Sequence, residues 1–313
     1  MSICIAIDMG GSKALAGLVA SDGSVLSRIH ETISLDEPDK GNAFIARCER
    51  LSRALLQQTT EPVIGIGVNL PGVTDAVNGV LRYAPFSGIE NLPVAAELSK
   101  RMQLPVWGEN DVNACALAER RWGAASPSKH DCSDFMWMTV SSGIGGALVL
   151  EGKVRAGADG CCGEFGHMVV REDGFLCGCG QRGCLEIEAA GPAWTRHWQS
   201  LDGTMIDDQW PDARKIAELA RQGDPLALQV VDIVGHNIGR GLAWVANAVN
   251  PGHIYLGGGV MGAADILLPV INETLRARAM VSRYRVPLVD VTGLGYEAGL
   301  LGAAALVPEG EAL

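Results

Sequence analysis

Apolar residues in this chain fall into short continuous runs set off by glycine turns, with longer stretches of helical period between them. Ile3 to Asp8 is apolar almost to its last residue, the pattern of a strand covered on both faces. Gly10-Gly11-Ser12-Lys13 turns the chain, and Ala14 to Ala20 follows as a strand, although its composition also suits a helix. Asp22-Gly23 is a hairpin signal, after which Val25 to Arg28 can pair back. The same order returns in the middle of the chain. Phe135 to Ser141 is an apolar strand, Ser142-Gly143-Ile144-Gly145-Gly146 a glycine loop, Ala147 to Leu150 a strand, and Glu151-Gly152 a tight turn. Two copies of one grammar predict an internal duplication, two half-domains of similar topology.

Between the copies the pattern predicts a helix over Ala43 to Gln58, a strand over Val63 to Val68 and a loop, Asn69-Leu70-Pro71-Gly72. A helix over Val94 to Met102, a short strand Val106-Trp107 and a helix over Asp111 to Trp122 come next. Later helices are expected over Ile187 to Gln199, Ala213 to Gln222, Pro225 to Asn250 and Ala264 to Met280, with a strand His253 to Leu256 running into Gly257-Gly258-Gly259. Strands alternating with helices mean an α/β fold. The polar segment Ser126 to Ser133 reads as a hinge or surface crossover. The expected domains are 1–122, joined by a closing helix in 297–313, and 123–296.

Hydrophobic residues make up 48% of the 313 and charged residues 19%, which supports a core and excludes disorder and coiled coil. The 25 basic side chains against 36 acidic ones leave a net charge of −11, unfavourable for general nucleic-acid binding but compatible with a local phosphate site built from backbone N–H groups. No basic leader precedes the first strand and no apolar run approaches a membrane span, so a cytoplasmic protein without membrane contact is expected. Nine cysteines without an export signal point to metal binding rather than disulfides.

Chemistry concentrates at four places. After the first strand, Asp8 precedes Gly10 and Gly11, whose N–H groups could approach phosphate oxygens while the carboxylate faces Mg²⁺; an ordinary hairpin turn is the alternative. The second loop, with Ser142, Gly143 and Gly145, supplies the matching clamp. Gly257-x-Gly259-x-x-Gly262 fits a dinucleotide pattern, yet no acidic residue stands about 20 positions further on, so a glycine turn against adenine or ribose suits it better. His167, Cys177, Cys179 and Cys184 run His-x₉-Cys-x-Cys-x₄-Cys, a donor set for a closed tetrahedral Zn²⁺, against the alternative of buried free thiols. Glu164 and Glu186 flank that loop as acceptors for sugar hydroxyls or as solvated charges. Asp111, at the start of a helix, is either a cap or a general base.

Asp8-Met-Gly-Gly-Ser-Lys13, Glu109-Asn-Asp-Val-Asn113, Gly157-Ala-Asp-Gly-Cys-Cys-Gly-Glu-Phe-Gly-His167 and Cys177-Gly-Cys-Gly-Gln-Arg-Gly-Cys-Leu-Glu186 together resemble the ROK family of bacterial sugar kinases. Ile254 to Gly262 is similar to that family's adenosine segment, and Gly299 to Ala305 to its closing helix. The resemblance spans essentially the whole chain. It implies an actin-like, ribonuclease-H-like duplicated fold with ATP and Mg²⁺ in an interdomain cleft, and a homodimer or homotetramer. Carried over by position, Asp111 is the base acting on the sugar 6-hydroxyl. Asn69, Gly72, Asn110, Glu164, His167 and Glu186 lie about the sugar. Asp8, Gly10, Gly11, Ser12, Lys13, Ser142, Gly143, Gly145, Gly257, Gly258 and Gly259 hold the nucleotide, and His167, Cys177, Cys179 and Cys184 hold structural zinc. Repressor members carry a DNA-binding segment ahead of the sugar domain, for which a first loop at residue 8 leaves no room. Three positions depart from the family pattern: Ser12 stands for Thr, Cys161-Cys162 for small residues, and Phe86 for a sugar-contacting Asn. Glucose is the expected acceptor, with N-acetylmannosamine or N-acetylglucosamine next, and fructose, mannose and allose left open. A non-catalytic sugar-binding regulator is the reading from another class.

Overall fold

A computed structural model describes residues 2–11, 13–33, 39–129 and 132–308, so Ser12 and residues 130 and 131 of the expected hinge lie outside the described residues. The chain forms two compact units: Met1–Asp131, Val154–Cys162 and Gly293–Leu313 in the first, Cys132–Lys153 and Gly163–Thr292 in the second. Residues 123–129, placed by sequence in the larger C-terminal part, group with unit 1, where Lys129 Nζ donates to the Trp122 carbonyl (2.7 Å) and Arg120 to that of Ala125 (3.0 Å).

Unit 1 opens with β1 (Ile3–Met9), β2 (Lys13–Ala20) and β3 (Val25–Thr32), followed by α1 (Lys40–Leu56) and β4 (Val63–Leu70). A small antiparallel sheet of β5 (Val73–Asp75), β6 (Val80–Ala84) and β7 (Ile89–Leu92) comes next, then α2 (Val94–Met102), β8 (Val106–Asn110) and α3 (Asp111–Arg121). The main sheet has the order β3-β2-β1-β4-β8, with β2 antiparallel to both its neighbours and β1, β4 and β8 parallel.

Unit 2 begins with β9 (Phe135–Val140), β10 (Ile144–Leu150) and β11 (Lys153–Val154). It continues through α4 (Leu185–Ala189), α5 (Gly191–Ser200), α6 (Ala213–Arg221), α7 (Pro225–Val249), β12 (His253–Gly257), α8 (Ala264–Arg278) and β13 (Leu288–Val291). Its sheet order is β11-β10-β9-β12-β13, again with an antiparallel pair beside two parallel ones. The two orders superimpose term for term, so the duplication read from the glycine loops is present in the strand topology. The helix expected over Ile187 to Gln199 is divided into α4 and α5, because Ala190 is extended and Gly191-Pro192 restarts the helix. The Gly145-Gly146 pair, expected in a loop, belongs to β10, where Gly145 pairs with Thr139; only Ser141 to Gly143 turn. The small β5-β6-β7 sheet and β13 escaped sequence reading, being three to five residues long with little alternation. Among the described residues no helix is long and apolar enough to cross a membrane.

The long α7 is bounded by its own sequence. Asp224 caps it by accepting the Ala227 N–H (2.8 Å), Pro225 takes the first turn, and Asn250 ends it in the left-handed region. In unit 1, strand alternation divides the sheet into two faces. Ile3, Ile5 and Ile7 of β1 and Ile66, Val68 and Leu70 of β4 pack with Phe44, Ile45, Leu51 and Leu55 of α1. The opposite face is narrow: Cys4 and Ala6 of β1 pack with the closing helix, α9 (Ala298–Ala305), through Leu300, Ala303 and Ala304. Gly67 of β4 faces α9, and a methyl group there would run into the Ala303 carbonyl. Gly67→Ala is therefore expected to destabilise unit 1 by about 1–3 kcal/mol through overpacking, seen as a lower urea midpoint in a protein with unchanged metal content.

Candidate active site

The parallel strands of unit 1 end together. In register, Asp8 lies beside Asn69, Asn69 beside Glu109, and Leu70 beside Asn110. Carboxyl ends of parallel strands are where α/β folds collect their ligand-binding groups. Asp8 is largely buried, which pushes its carboxyl above the ordinary carboxylate range; the Asn69 amide and the Lys13 charge pull it back. Gly10 commits its N–H to the Lys13 carbonyl (2.9 Å), closing the turn and withdrawing that N–H from an incoming phosphate. The Phe86 ring lies over Gly11, at contact distance (3.4 Å) from where a side chain there would begin.

Asn110 resolves the question of the helix cap. Its side-chain oxygen accepts the N–H groups of Val112 (3.0 Å) and Asn113 (3.1 Å), and its amide donates to the Gly72 carbonyl (3.1 Å). Asp111 is thus the first residue of α3 and not its cap, half-buried, with Oδ1 accepting the Val112 N–H (2.9 Å). Glu109, which the sequence marks only as the first residue of the Glu109–Asn113 motif, holds this corner by accepting the Asn110 N–H (2.8 Å) and the Asn113 amide (3.2 Å); burial raises its carboxyl. Asn69, expected at the sugar, is fully enclosed, its amide nitrogen donating to Asp8 Oδ1 and to the Gly299 carbonyl.

Unit 2 carries the second group of residues. Ser142 stands at the tip of the β9–β10 turn, whose closing bond runs from Ser141 N–H to the Gly143 carbonyl (2.8 Å). Gly257 ends β12 in register with Thr139 of β9. Gly258 (φ +91°) packs against the Val140 carbonyl, where no side chain fits, and Gly259 approaches the Ser141 hydroxyl. The glycine triplet and the second glycine loop therefore form one surface. Glu186 reaches that surface too, since Oε2 accepts the Ile144 N–H (3.0 Å) beside Gly143. Glu164 remains largely exposed.

The donor atoms of His167, Cys177, Cys179 and Cys184 all lie within 4.8 Å of one another. Cys179 and Cys184 Sγ are 3.6 Å apart, and Cys177 Sγ is 3.7 Å from His167 Nδ1. With Zn–S near 2.3 Å, the edge of a tetrahedron is about 3.8 Å. His167 turns Nδ1 to the thiols, while its Nε2 lies 3.9 Å from Glu164 Oε2, beyond direct hydrogen-bond reach. The Gln181 N–H draws Cys179 down to about 7, while burial and the neighbouring thiols push Cys184 up. A second support went unnoticed in the sequence. Glu188, fully buried, accepts the Phe175 N–H (2.6 Å) and lies near His197 Nε2 (3.5 Å) and Arg171 (3.8 Å), fixing the strand of loop that leads into Cys177. The only sequence trace of it is Glu-x-Glu in a short helix.

Against known proteins, the ROK family profile matches residues 4–310. The chain belongs to the ROK family. A glucokinase from Thermotoga maritima is 32% identical over 316 residues, 97% of each chain. The ROK family glucokinase from Streptomyces griseus, solved with glucose and AMPPNP, superimposes with a TM-score of 0.81 at 29% identity, covering 98% of this chain and 100% of that one. The family's regulator branch matches over the same span: a ROK family transcriptional regulator, a homolog of the E. coli MLC protein, superimposes with a TM-score of 0.86 at 27% identity, covering 97% of this chain and 77% of that one. These neighbours carry the expected actin-like α/β fold over to this chain.

Thiol chemistry checks the packing. Burial raises Cys4 and Cys48 to about 12 and Cys115 well above its ordinary value, whereas Cys161 is exposed. Iodoacetamide at pH 8 is expected to label Cys161 in the native protein and to spare Cys4, Cys48 and Cys115 until denaturant is added, as read by peptide mass spectrometry.

Proposed function

We propose that this ROK protein is an ATP-dependent hexose kinase that phosphorylates the 6-hydroxyl, with glucose as the acceptor. The observation that carries the reading is Asp111: Asn110 has taken over the cap, and a half-buried carboxylate stands at the ends of the parallel strands, in the corner that Asp8 shares. Full-length similarity to glucokinases supports the same activity. Asp111 accepts the proton of the sugar hydroxyl as its oxygen attacks the γ-phosphorus, and ADP leaves with the electrons of the broken phosphoanhydride bond. Asn110, Gly72, Glu164, His167 and Glu186 serve the sugar. Gly11 and Lys13 serve the phosphates, and Ser142, Gly143, Gly258 and Gly259 the nucleotide. Asp8 supplies hard oxygen donors for Mg²⁺, which neutralises charge on the phosphates when bound. The reading assigns His167, Cys177, Cys179 and Cys184 to a closed structural Zn²⁺ whose part is to hold Glu164 and Glu186 in place.

Asp111→Ala is expected to lower turnover by about 10²–10⁴-fold while glucose binding by calorimetry persists; unchanged turnover would remove Asp111 as the base. The acceptor is checked by ADP release with Mg-ATP across glucose, mannose, fructose, allose, N-acetylglucosamine and N-acetylmannosamine. Preference for an N-acetylhexosamine would overturn glucose, and a folded protein that binds sugar but not ATP would be a regulator. Cys179→Ser is expected to lose zinc by elemental analysis and to weaken glucose binding. A zinc-free, fully active variant would refute the positional role of the ion.

A further inference from the structure

Asn69 faces the same side of the sheet as Asp8. In β1 the odd positions Ile3, Ile5 and Ile7 pack under α1, which leaves Asp8 on the α9 side; in β4 the even positions Ile66, Val68 and Leu70 pack under α1, which leaves Asn69 there. The parallel register sets the two side by side. One nitrogen, Asn69 Nδ2, lies 3.0 Å from Asp8 Oδ1 and 2.7 Å from the Gly299 carbonyl in the first turn of α9. Both partners are acceptors, which identifies that end of the side chain as the amide NH₂ with both hydrogens engaged. Its own Oδ1 is buried without a hydrogen-bond partner among the described residues, and the residue is 0% exposed. An orphaned buried acceptor costs free energy, so the site retains Asn for its donor end. Gly299 completes the arrangement from the other side, because any side chain there would collide with the Asp8 carboxylate.

We propose that Asn69 is a positioning residue. Its amide locks the Asp8 carboxylate to the closing helix, so that the remaining carboxylate lone pairs are aimed for a magnesium–nucleotide. The proposal rests on the kinase reading for the identity of that ligand, and it replaces direct sugar contact as the role of Asn69. Ligands to a metal are oriented by their own hydrogen-bond partners, and removing such a partner weakens metal binding by about 10–100-fold. A donor that acts through Asp8 moves the magnesium dependence of nucleotide binding and leaves sugar affinity alone. A sugar contact does the reverse.

The experiment measures binding of a fluorescent ADP analogue during Mg²⁺ titration, and glucose binding by calorimetry without nucleotide. Wild-type protein is compared with Asn69→Leu, which keeps bulk and removes the donor, and with Asn69→Ser, which keeps a hydroxyl donor. The expected result is a Mg²⁺ midpoint raised about tenfold or more in Asn69→Leu, a smaller rise in Asn69→Ser, and glucose affinity unchanged in both. Should Asn69→Leu fail to fold, Asn69→Ala removes the amide without added bulk and is expected to show the same rise. A folded Leu or Ala variant with the wild-type midpoint overturns the proposal, and so does loss of glucose binding at an unchanged midpoint. Wild-type binding that does not depend on Mg²⁺ overturns the proposal, whereas the kinase reading itself fails if folded wild-type protein releases no ADP from Mg-ATP with any sugar, an outcome visible before any variant is compared.

Discussion

Parallel pairing of β1, β4 and β8 in one register is the constraint on which the chemistry of unit 1 depends. It brings Asp8, Asn69 and Glu109, residues separated by about sixty and then forty positions, into one row at the strand ends. A slip of one residue would turn each of them to the apolar α1 face, where no partner waits. That face is tightly filled, so the register is fixed by the burial of isoleucine, valine and leucine rather than by the polar groups themselves. The closing helix then makes the row usable. It lies against glycines, and its first turn accepts the Asn69 amide.

Unit 2 solves a different problem with the same topology. Its long loop between β11 and α4 packs Phe165, Met168 and Val170 on the core and is held by polar groups at several further points. Four soft donors gather within a tetrahedron's span, Glu188 ties the incoming segment from below, and Glu186 grips the β9–β10 turn. A buried, partnered carboxylate is a weak source of net stability, but it excludes alternative loop arrangements because breaking it leaves a charge unpaired. The four-donor cluster and Glu188 therefore bear on one loop at two places: the cluster gathers at its tip, and Glu188 holds its root by hydrogen bonding.

Much of this was legible in the residues alone. Two glycine loops after apolar strands announced the duplication, since each marks the same strand–turn–strand unit and tight turns leave a local signature. The donor set His167, Cys177, Cys179 and Cys184 was legible for the same reason, as short covalent spacing restricts where its atoms can go. Asp111 stood out by its place at the head of a helix, although the neighbouring Asn110 proved to be the cap, and adjacent polar residues compete for that role on details of backbone angle. Gly145 looked like loop and was strand, because strand pairing with Thr139 outweighs the low propensity of a glycine pair.

The fold class, the duplication, the metal-type donor set and the family were determined by sequence, since each is written in local spacing or in motifs along the chain. The tasks of Asn69, Glu186, Glu188 and Glu109 were decided by tertiary structure. Each depends on a partner that only packing supplies: Gly299 lies 230 positions from Asn69, and Ile144 lies 42 from Glu186. A carboxylate or amide carries no mark in the sequence of which face it will occupy. Strand register and helix seating assign that face, and they are settled by the apolar residues around it.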